Sequence, residues 1–331
     1  MPNVLIMEFR LEFTPKAIEE KINHKHKLFL AGSCFTEQIG AKLSHYKFQT
    51  IDNPHGILFN PISIANAISS YIENKKYTES DLFLHHELWG SWDHHTKFSN
   101  IQKEDCLHKI NASQETAHQF LKETDWLLLT LGSAFVYELH DKKVVANCHK
   151  VPTDKFNKRL LSAEEIKSTL SNLVDQLLHF NPRIKIIFTI SPVRHLRDGF
   201  IENNRSKAQL ISAVHELIAE QSSAFYFPAY ELVIDDLRDY RFYAEDMVHP
   251  NYSATNYVWE KFMATCIDDS SQLLMKEIGV IRAAKNHKPF NPLSFQHQKF
   301  LEVNLDKALK IKSQNPYIDF SEEIDFFKAT L

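Results

Sequence analysis

The chain has 331 residues, of which 44% are hydrophobic and 24% charged, a composition typical of a globular protein long enough to bury a large core. Its 38 Lys and Arg residues against 42 Asp and Glu residues give a formal net charge of −4, so we expect neither nucleic acid nor an anionic membrane as a partner. The seven glycines form neither a Gly-x-Gly-x-x-Gly motif nor a P-loop, which argues against classical dinucleotide or P-loop phosphate binding.

Strands and helices alternate along most of the chain. The hydrophobic pattern predicts strands at 27–31, 47–51, 126–131, 185–190 and 224–227, and helices at 35–43, 61–72, 114–123, 163–180, 201–221 and from 253 onward. The segment 81–100, rich in His and Trp, predicts a long loop or a hairpin. This alternation is typical of βαβ units and predicts an α/β fold with three α/β/α layers around a parallel sheet.

The last part of the chain has a different pattern. After residue 267 it predicts a helix to Asn286, then two prolines, Pro289 and Pro292, and another helix to Ser313. We therefore interpret residues 1–266 as one α/β domain and residues 267–331 as a helical C-terminal extension packed on it.

The first ten residues and the cysteines bear on the compartment. Residues 1–10 lack the basic head and apolar core of a signal peptide, and no run of about 18 apolar residues predicts a membrane span. Cys34, Cys106, Cys148 and Cys266 form no Cys-x-x-Cys motif, which favours free thiols over disulfides. We therefore expect a cytoplasmic protein in which a reactive thiol survives.

The first candidate residues follow the first predicted strand, at the carboxyl edge where open parallel sheets carry their sites. Cys34 lies in Gly32-Ser33-Cys34-Phe35, at the start of a helix whose dipole and N–H groups favour a thiolate. The alternative is a buried cysteine that acts as a small hydrophobic residue. Ser33 either caps this helix or, if the turn is shifted by one residue, is itself the nucleophile.

Two later segments carry polar groups to the same edge. Asp246 precedes His249 by three residues, a spacing at which a carboxylate orients one ring nitrogen and leaves the other as a general base. A surface loop before a helix is the alternative. Arg194 and His195 follow a buried strand and either bind a substrate carboxylate or phosphate, or fix the loop through an ion pair.

The histidine-rich segment raises the question of a metal. His85-His86-Glu87 and Asp93-His94-His95 offer several ligands, but no His-Glu-x-x-His helix motif occurs. We therefore predict no metal site and no cofactor. Trp89 and Trp92 are interpreted as pocket walls or packing residues, and an aromatic wall would suit a sugar ring.

Taken together, these segments resemble a known family. Ala31-Gly-Ser-Cys-Phe-Thr36 resembles the signature of the GSCFA family, which is grouped with the SGNH (GDSL-like) hydrolases. Residues 53–61, 131–137, 147–150, 191–195 and 246–250 resemble further blocks of that family in the same order. The resemblance covers roughly residues 7–265 and implies an SGNH-hydrolase-like, flavodoxin-like sheet.

The resemblance also implies roles for the candidate residues. Cys34 stands where SGNH enzymes carry the nucleophilic serine, with His249 as general base and Asp246 as its orienting carboxylate. The backbone N–H of Cys34 and Gly56 would supply part of the oxyanion hole. No metal takes part in this arrangement.

One position departs from the SGNH pattern. The asparagine that normally completes the oxyanion hole falls on Ala134, after Gly132 and Ser133, and alanine has no side-chain donor. Losing one such donor typically costs about 10²–10³ in rate. The candidate replacements are Asn53, Asn147 and His149.

The implied function is an ester hydrolase that removes an acyl group from a carbohydrate or related small metabolite through an acyl thioester on Cys34. Two alternatives remain because of Ala134. The chain is either an acyltransferase that uses the same thioester or a binding module that kept the fold without catalysis.

Overall fold

The computed structural model describes residues 11–330, so the expectation about a signal peptide in residues 1–10 lies outside the described residues. In chain order the elements are β1 (Lys27–Gly32), α1 (Cys34–His45), β2 (Gln49–Asp52), α2 (Pro61–Ile72), β3 (Phe83–His85), β4 (Leu88–Gly90), α3 (Lys103–Lys122), β5 (Trp126–Leu131), β6 (Phe135–Glu138), β7 (Asn157–Leu160), α4 (Ala163–Phe180), β8 (Lys185–Ile190), α5 (Gly199–Glu220), β9 (Ala224–Tyr226), α6 (Ala229–Glu231), α7 (Tyr252–Cys266), α8 (Asp269–Lys285), α9 (Phe295–Gln314) and α10 (Ser321–Thr330).

A parallel five-stranded sheet forms the centre, in the order β2-β1-β5-β8-β9. All six residues of β5 are buried, because helices cover both faces of the sheet. Helices α2, α3, α4 and α5 contribute to the core on one face, and α1, α6 and α7 to the core on the other. The predicted α/β fold with a parallel sheet is confirmed.

The structure corrects one helix boundary, selects one of two predicted forms for another segment and adds elements that were not predicted. Helix α3 begins at Lys103 rather than at 114. The hydrophobic pattern missed its first half because that half is mostly exposed and buries only Cys106 and Ile110. The segment 81–100 contains the β3–β4 hairpin, one of the two predicted forms. The β6–β7 hairpin and helix α10 were not predicted.

The C-terminal helices pack around a core of their own, to which Ile278, Leu301 and Phe327 contribute. They also contact the α/β body. The carboxylate of Glu323, fully buried, pairs with Lys47 Nζ at 2.8 Å. Within residues 11–330, no helix is both long enough and apolar enough to span a bilayer.

Candidate active site at the carboxyl edge of the sheet

The turn between β1 and α1 requires a glycine and a cap. Gly32 has φ +138°, and a Cβ on it would lie 2.1 Å from the carbonyl oxygen of Thr130 in β5. Ser33 Oγ is buried and accepts a hydrogen bond from Phe35 N at 3.3 Å, which confirms Ser33 as the helix cap. Cys34, half-buried, is the first residue of α1. The turn therefore presents the Cys34 side chain at the carboxyl edge.

The protonation of Cys34 differs from the expectation. Burial raises the pKa of the Cys34 thiol, and the nearby carboxylate of Glu37 raises it further. The backbone N–H groups of Cys34 and Phe35 and the charge of Lys207 lower this pKa, but by less. The loss of hydration at Cys34 therefore outweighs the effect of the helix N-terminus, which corrects our expectation of a favoured thiolate.

Asp246 and His249 form the predicted pair. His249 Nδ1 donates to Asp246 Oδ2 at 2.7 Å, and the backbone N–H of His249 donates to Asp246 Oδ1 at 3.0 Å. These bonds, led by the backbone one, lower the pKa of Asp246 to about 2, so the carboxylate is ionised and can only accept. Nδ1 therefore carries a proton in this bond, and a neutral imidazole in that tautomer has its lone pair on Nε2.

Arg194 fixes the loop that carries this pair. Its backbone N–H donates to Val248 O at 3.2 Å, and its guanidinium lies 4.0 Å from the centroid of the Tyr243 ring. Its Nη1 also reaches Met247 O at 3.4 Å. Of the two expected roles, loop fixation is the one these contacts support, through a cation–π contact rather than an ion pair.

The sequence interpretation missed Lys207, on α5. Its Nζ donates to Gly132 O and Ser191 O, both at 2.7 Å, just beyond the ends of β5 and β8. The side chain is 2% exposed, and burial lowers the pKa of Lys207 to about 7. A signal was available, because Lys207 falls on the buried stripe of α5 that continues through Leu210, Val214 and Leu217.

His195 joins the two parts of the site. Its Nε2 is buried, has no hydrogen-bond partner in the described part of the chain, and would lie 3.2 Å from a Cβ built on Gly132. Burial lowers the pKa of His195 to about 4, and the charges of Lys207 and His249 contribute to that shift. Lys207 also interacts electrostatically with Cys34, so pairwise interactions run from Cys34 through Lys207 and His195 to His249.

Asn53 and Gly56, two candidate oxyanion donors, differ in whether their N–H groups already have hydrogen-bond partners. Asn53 is 1% exposed, and its Oδ1 accepts from Gly32 N at 2.9 Å, two residues before Cys34. Its Nδ2 has no hydrogen-bond partner among residues 11–330. Gly56 N instead donates to Asn53 O at 2.8 Å, and a Cβ on Gly56 would meet His95 at 2.2 Å. The N–H of Gly56 is thus engaged in its own loop, while the amide of Asn53 keeps its donors.

Asn147 and His149 lie in a neighbouring loop. His149 Nε2 contacts Ser91 O at 2.9 Å, and Asn147 Oδ1 accepts from His149 N at 2.8 Å, so both hold the loop together. Asn147 also lines a cavity of about 390 Å³ beside His195, whose other walls include Phe59, Ser133, Phe135, Tyr137, Cys148 and Arg197. The structure thus brings Asn147 to this cavity, while His149 is bound to Ser91.

The His- and Trp-rich segment is mainly packing. His86 and Glu87 have positive φ in the β3–β4 turn, and Trp92 stacks on Phe83 with ring centroids 3.7 Å apart. The rings of His55 and His94 stack at 3.9 Å. In residues 11–330, no three His, Cys, Asp or Glu side chains come together as a set of metal ligands. The aromatic rings that line the cavity beside His195 are those of Phe59, Phe135 and Tyr137, and neither Trp89 nor Trp92 lines it.

Comparison with protein families gives two matches, which together cover most of the chain. A model described as the GSCFA family matches residues 27–262, and one described as the C-terminal domain of GSCFA domain proteins matches residues 278–331. No curated protein matches the chain.

Solved structures with a similar course of the chain include two esterases. One is a carbohydrate esterase family 3 protein from Talaromyces cellulolyticus, 10% identical, with a TM-score of 0.38 over 76% of this chain and 99% of that one. The other is an acetyl xylan esterase from the rumen bacterium Butyrivibrio proteoclasticus, 11% identical, with a TM-score of 0.34 over 77% of this chain and 65% of that one.

Proposed function

The chain belongs to the GSCFA family, and we propose that it is an ester hydrolase of the SGNH type in which Cys34 is the nucleophile, His249 the general base and Asp246 its orienting carboxylate. One observation carries the proposal. The Cys34 thiol interacts electrostatically with Lys207, and Lys207 in turn with His195. His195 interacts with His249, whose ring is oriented by Asp246. This combination of nucleophile, base and orienting carboxylate is what acyl transfer requires.

The reaction has two steps. In the first, Cys34 Sγ passes its proton to His249 Nε2 and bonds to the ester carbonyl carbon; His249 then returns that proton to the departing alcohol as the carbon–oxygen bond breaks. In the second, His249 Nε2 takes a proton from water, whose oxygen attacks the thioester. The carbon–sulfur bond breaks, the acid leaves, and the proton returns to sulfur.

The oxyanion formed in each step needs donors. The backbone N–H of Cys34 lies in the first turn of α1, where N–H groups have no partner within the helix. Asn53 Nδ2 is the second donor in this proposal, because it is buried without a partner while Oδ1 of the same amide is held by Gly32 N. It would replace the amide that is missing at Ala134.

The substrate class follows from the cavity beside His195. Its walls combine the rings of Phe59, Phe135 and Tyr137 with polar side chains, which suits a ring that is apolar on its faces and hydroxylated at its edge. The polar lining includes Asn60, Asn147, Lys158, Arg197 and Asp198. We therefore propose an acylated carbohydrate or related small metabolite as substrate. The proposal includes a reducing, cytoplasmic compartment, in which the free thiol persists.

The test is to trap the intermediate. Purified protein is incubated with p-nitrophenyl acetate and quenched in acid, and the Cys34 peptide is analysed by mass spectrometry. We expect an acetyl group on Cys34 that hydroxylamine removes, and its absence in Cys34→Ala. An acetyl group on Ser33, or none on either residue, would contradict the mechanism.

A second arm separates hydrolysis from acyl transfer. Turnover is followed with and without an added carbohydrate, and both acetate and acetylated sugar are measured. Acetate alone supports the hydrolase. Acetylated sugar as the main product would identify an acyltransferase, and an unreactive Cys34 with sugar binding retained in Cys34→Ala would identify a binding module.

A further inference from the structure

The cavity of about 390 Å³ beside His195, named here the His195 cavity, adjoins the turn that carries the proposed nucleophile. Phe59 lines the cavity, and the residue before it, Leu58, donates its backbone N–H to Gly32 O at 2.9 Å. Gly32 lies two residues before Cys34. One part of the cavity wall is therefore joined by a backbone hydrogen bond to the β1–α1 turn.

Another part of the wall adjoins the loop that carries the proposed base. His195 lines the cavity, with its ring edge-on to that of Phe59 at a centroid distance of 5.2 Å. The residue before His195, Arg194, donates its backbone N–H at 3.2 Å to Val248 O, one residue before His249. A ligand in the His195 cavity therefore lies beside both segments to which the proposed function assigns catalysis.

The charged side chains that line the His195 cavity do not cancel. They are Lys158 on β7, and Arg197 and Asp198 just before α5. Lys158 Nζ forms an ion pair with the Asp198 carboxylate and lies 4.4 Å from the centroid of the Phe135 ring. Among residues 11–330, no carboxylate lies within ion-pair distance of the exposed Arg197 guanidinium. The cavity therefore has one positive charge in excess, and Arg197 carries it.

The two arginines of this loop differ in what they contact. Arg194 holds the neighbouring loop through Val248 O and the Tyr243 ring. The Arg197 side chain makes no hydrogen bond within residues 11–330, although it lines the cavity. The binding of a substrate anion was one of two roles expected of Arg194. The contacts of Arg194 are those of a structural residue, so this role falls to Arg197.

The excess charge suits a carboxylate. A guanidinium binds a carboxylate through two parallel hydrogen bonds, which fix its orientation as well as its charge. A carboxylate carries one negative charge, equal to the excess in the cavity, whereas a phosphate monoester carries nearly two at neutral pH. The Asp198 carboxylate in the same wall would oppose that second charge.

We propose that Arg197 binds the carboxylate of an acylated sugar acid, whose ring lies against Phe59, Phe135 and Tyr137 in the His195 cavity. This proposal rests on the proposed function in one respect, that the ester attacked by Cys34 is a carbohydrate ester. It narrows the substrate from any acylated carbohydrate to one that also carries a carboxylate, and Arg197 becomes the residue that determines this specificity.

The main test measures binding without catalysis. The probes are two pairs of methyl glycosides, glucuronide with glucoside and galacturonide with galactoside. Within each pair a carboxylate replaces a hydroxymethyl group, and no probe carries an ester, so wild-type protein is used. Calorimetry should show at least one acid binding about tenfold or more tightly than its neutral partner. Equal affinities within both pairs, or no binding of either acid, would overturn the proposal.

Arginine variants locate the bound carboxylate. Arg197→Gln should remove the preference for the acid, because the amide keeps polar atoms but no charge. Arg205→Gln is the matched control, since Arg205 is an exposed arginine of α5 that bonds Glu202 and does not line the cavity. Its preference should equal that of wild type. An unchanged preference in folded Arg197→Gln, or equal losses in both variants, would contradict the assignment.

Two measurements on the wild-type protein need no variant. The affinity for the acid should fall as sodium chloride is raised, because an exposed ion pair is screened by salt. An affinity independent of salt would contradict an ion pair with Arg197. The phosphate ester of the same neutral glycoside should bind less tightly than the acid, and tighter binding of the phosphate would overturn the assignment of a carboxylate.

Ester turnover separates this proposal from the proposed function. The ratio of kcat/KM for the acetylated acid to that for the acetylated neutral glycoside should exceed one in wild type and fall toward one in Arg197→Gln. If the acid binds through Arg197 but no ester is hydrolysed, the carboxylate site stands and the proposed function fails. If acidic and neutral esters are hydrolysed through Cys34 equally well, the function stands and the specificity of Arg197 fails.

Discussion

Two groups of histidines in this protein differ in how their ring nitrogens are satisfied. The closed cluster comprises His55, His94, Tyr71 and Tyr77. His55 Nδ1 contacts the Tyr71 hydroxyl at 2.5 Å, and His55 Nε2 contacts the Tyr77 hydroxyl at 3.2 Å. The open cluster comprises His195 and His249. His195 Nε2 has no hydrogen-bond partner within residues 11–330, and the His249 side chain is about half-exposed.

The comparison shows that the chemistry available to a histidine depends on which of its ring nitrogens the folded protein leaves without a hydrogen bond. Both nitrogens of His55 are committed and burial lowers its pKa to about 3, so the ring is a neutral part of the core. In the open cluster Asp246 commits only Nδ1 of His249. A nitrogen that the fold leaves without a partner remains for a substrate, which is why we assign chemistry to the open cluster and structure to the closed one.

The largest effect should come from removing the nucleophile of the open cluster. Cys34→Ala should reduce ester turnover by about 10⁴-fold or more, because no thioester can form. Turnover of p-nitrophenyl acetate measures the loss, and thermal melting checks the fold. Retention of more than about a tenth of the wild-type activity would show that the reaction does not pass through this thiol.

Asp246→Asn should have the next largest effect, about 10²–10⁴-fold in kcat, because the amide no longer holds His249 in the Nδ1–H form. Asp239→Asn is the matched control, since Asp239 is another exposed acid nearby whose side chain bonds Arg241. Its activity should remain close to wild type. Equal losses in both variants would mean that the Asp246 effect is not specific.

The closed cluster should affect the free energy of unfolding at acidic pH rather than ester turnover. The folded-state pKa of His55 lies below its unfolded value of 6.5, so below pH 6.5 the unfolded chain binds a proton that the folded one does not. The contribution of His55 to the free energy of unfolding is therefore fully present above pH 6.5. It decreases between pH 6.5 and pH 3, by at most about 1.4 kcal/mol per pH unit. Burial also lowers the pKa of His94, which adds in the same direction.

Urea unfolding at several pH values tests this. His55→Gln, which keeps one donor and one acceptor, should be less stable at pH 7 but show a shallower decline between pH 6.5 and 4. An identical slope in the variant would show that His55 does not carry the effect.

The smallest effect should come from Tyr71→Phe, which leaves His55 Nδ1 without its partner. We expect a loss of about 1–3 kcal/mol in the free energy of unfolding with ester turnover unchanged. Tyr317→Phe is the control, because its hydroxyl is exposed and bonds only Asn315 within residues 11–330; it should change stability by less than about 0.5 kcal/mol. A loss of activity in folded Tyr71→Phe would break the separation of the two clusters.

Most of the sheet could be predicted because its strands are nearly continuous apolar runs, as in β5 and β8. The β6–β7 hairpin could not, since its residues are only partly buried and include Lys158 and Arg159. In the site, Ser33 was expected as a cap and the Asp246–His249 bond followed from local spacing. Lys207 was missed because its partners, Gly132 O and Ser191 O, are distant in sequence.

The alternation of strands and helices, the turn at Gly32 and the residues available at the carboxyl edge can be read from the sequence, because they depend on local pattern and on side-chain chemistry. Which polar atoms find hydrogen-bond partners depends instead on the packing of the whole chain. Packing placed hydrogen-bond partners on both ring nitrogens of His55 and engaged the N–H of Gly56. Within residues 11–330 it left Asn53 Nδ2 and His195 Nε2 without partners, and it buried Lys207 against Gly132 O and Ser191 O. Hydration and hydrogen bonding of a group depend on neighbours distant in the chain, and these neighbours are set by packing.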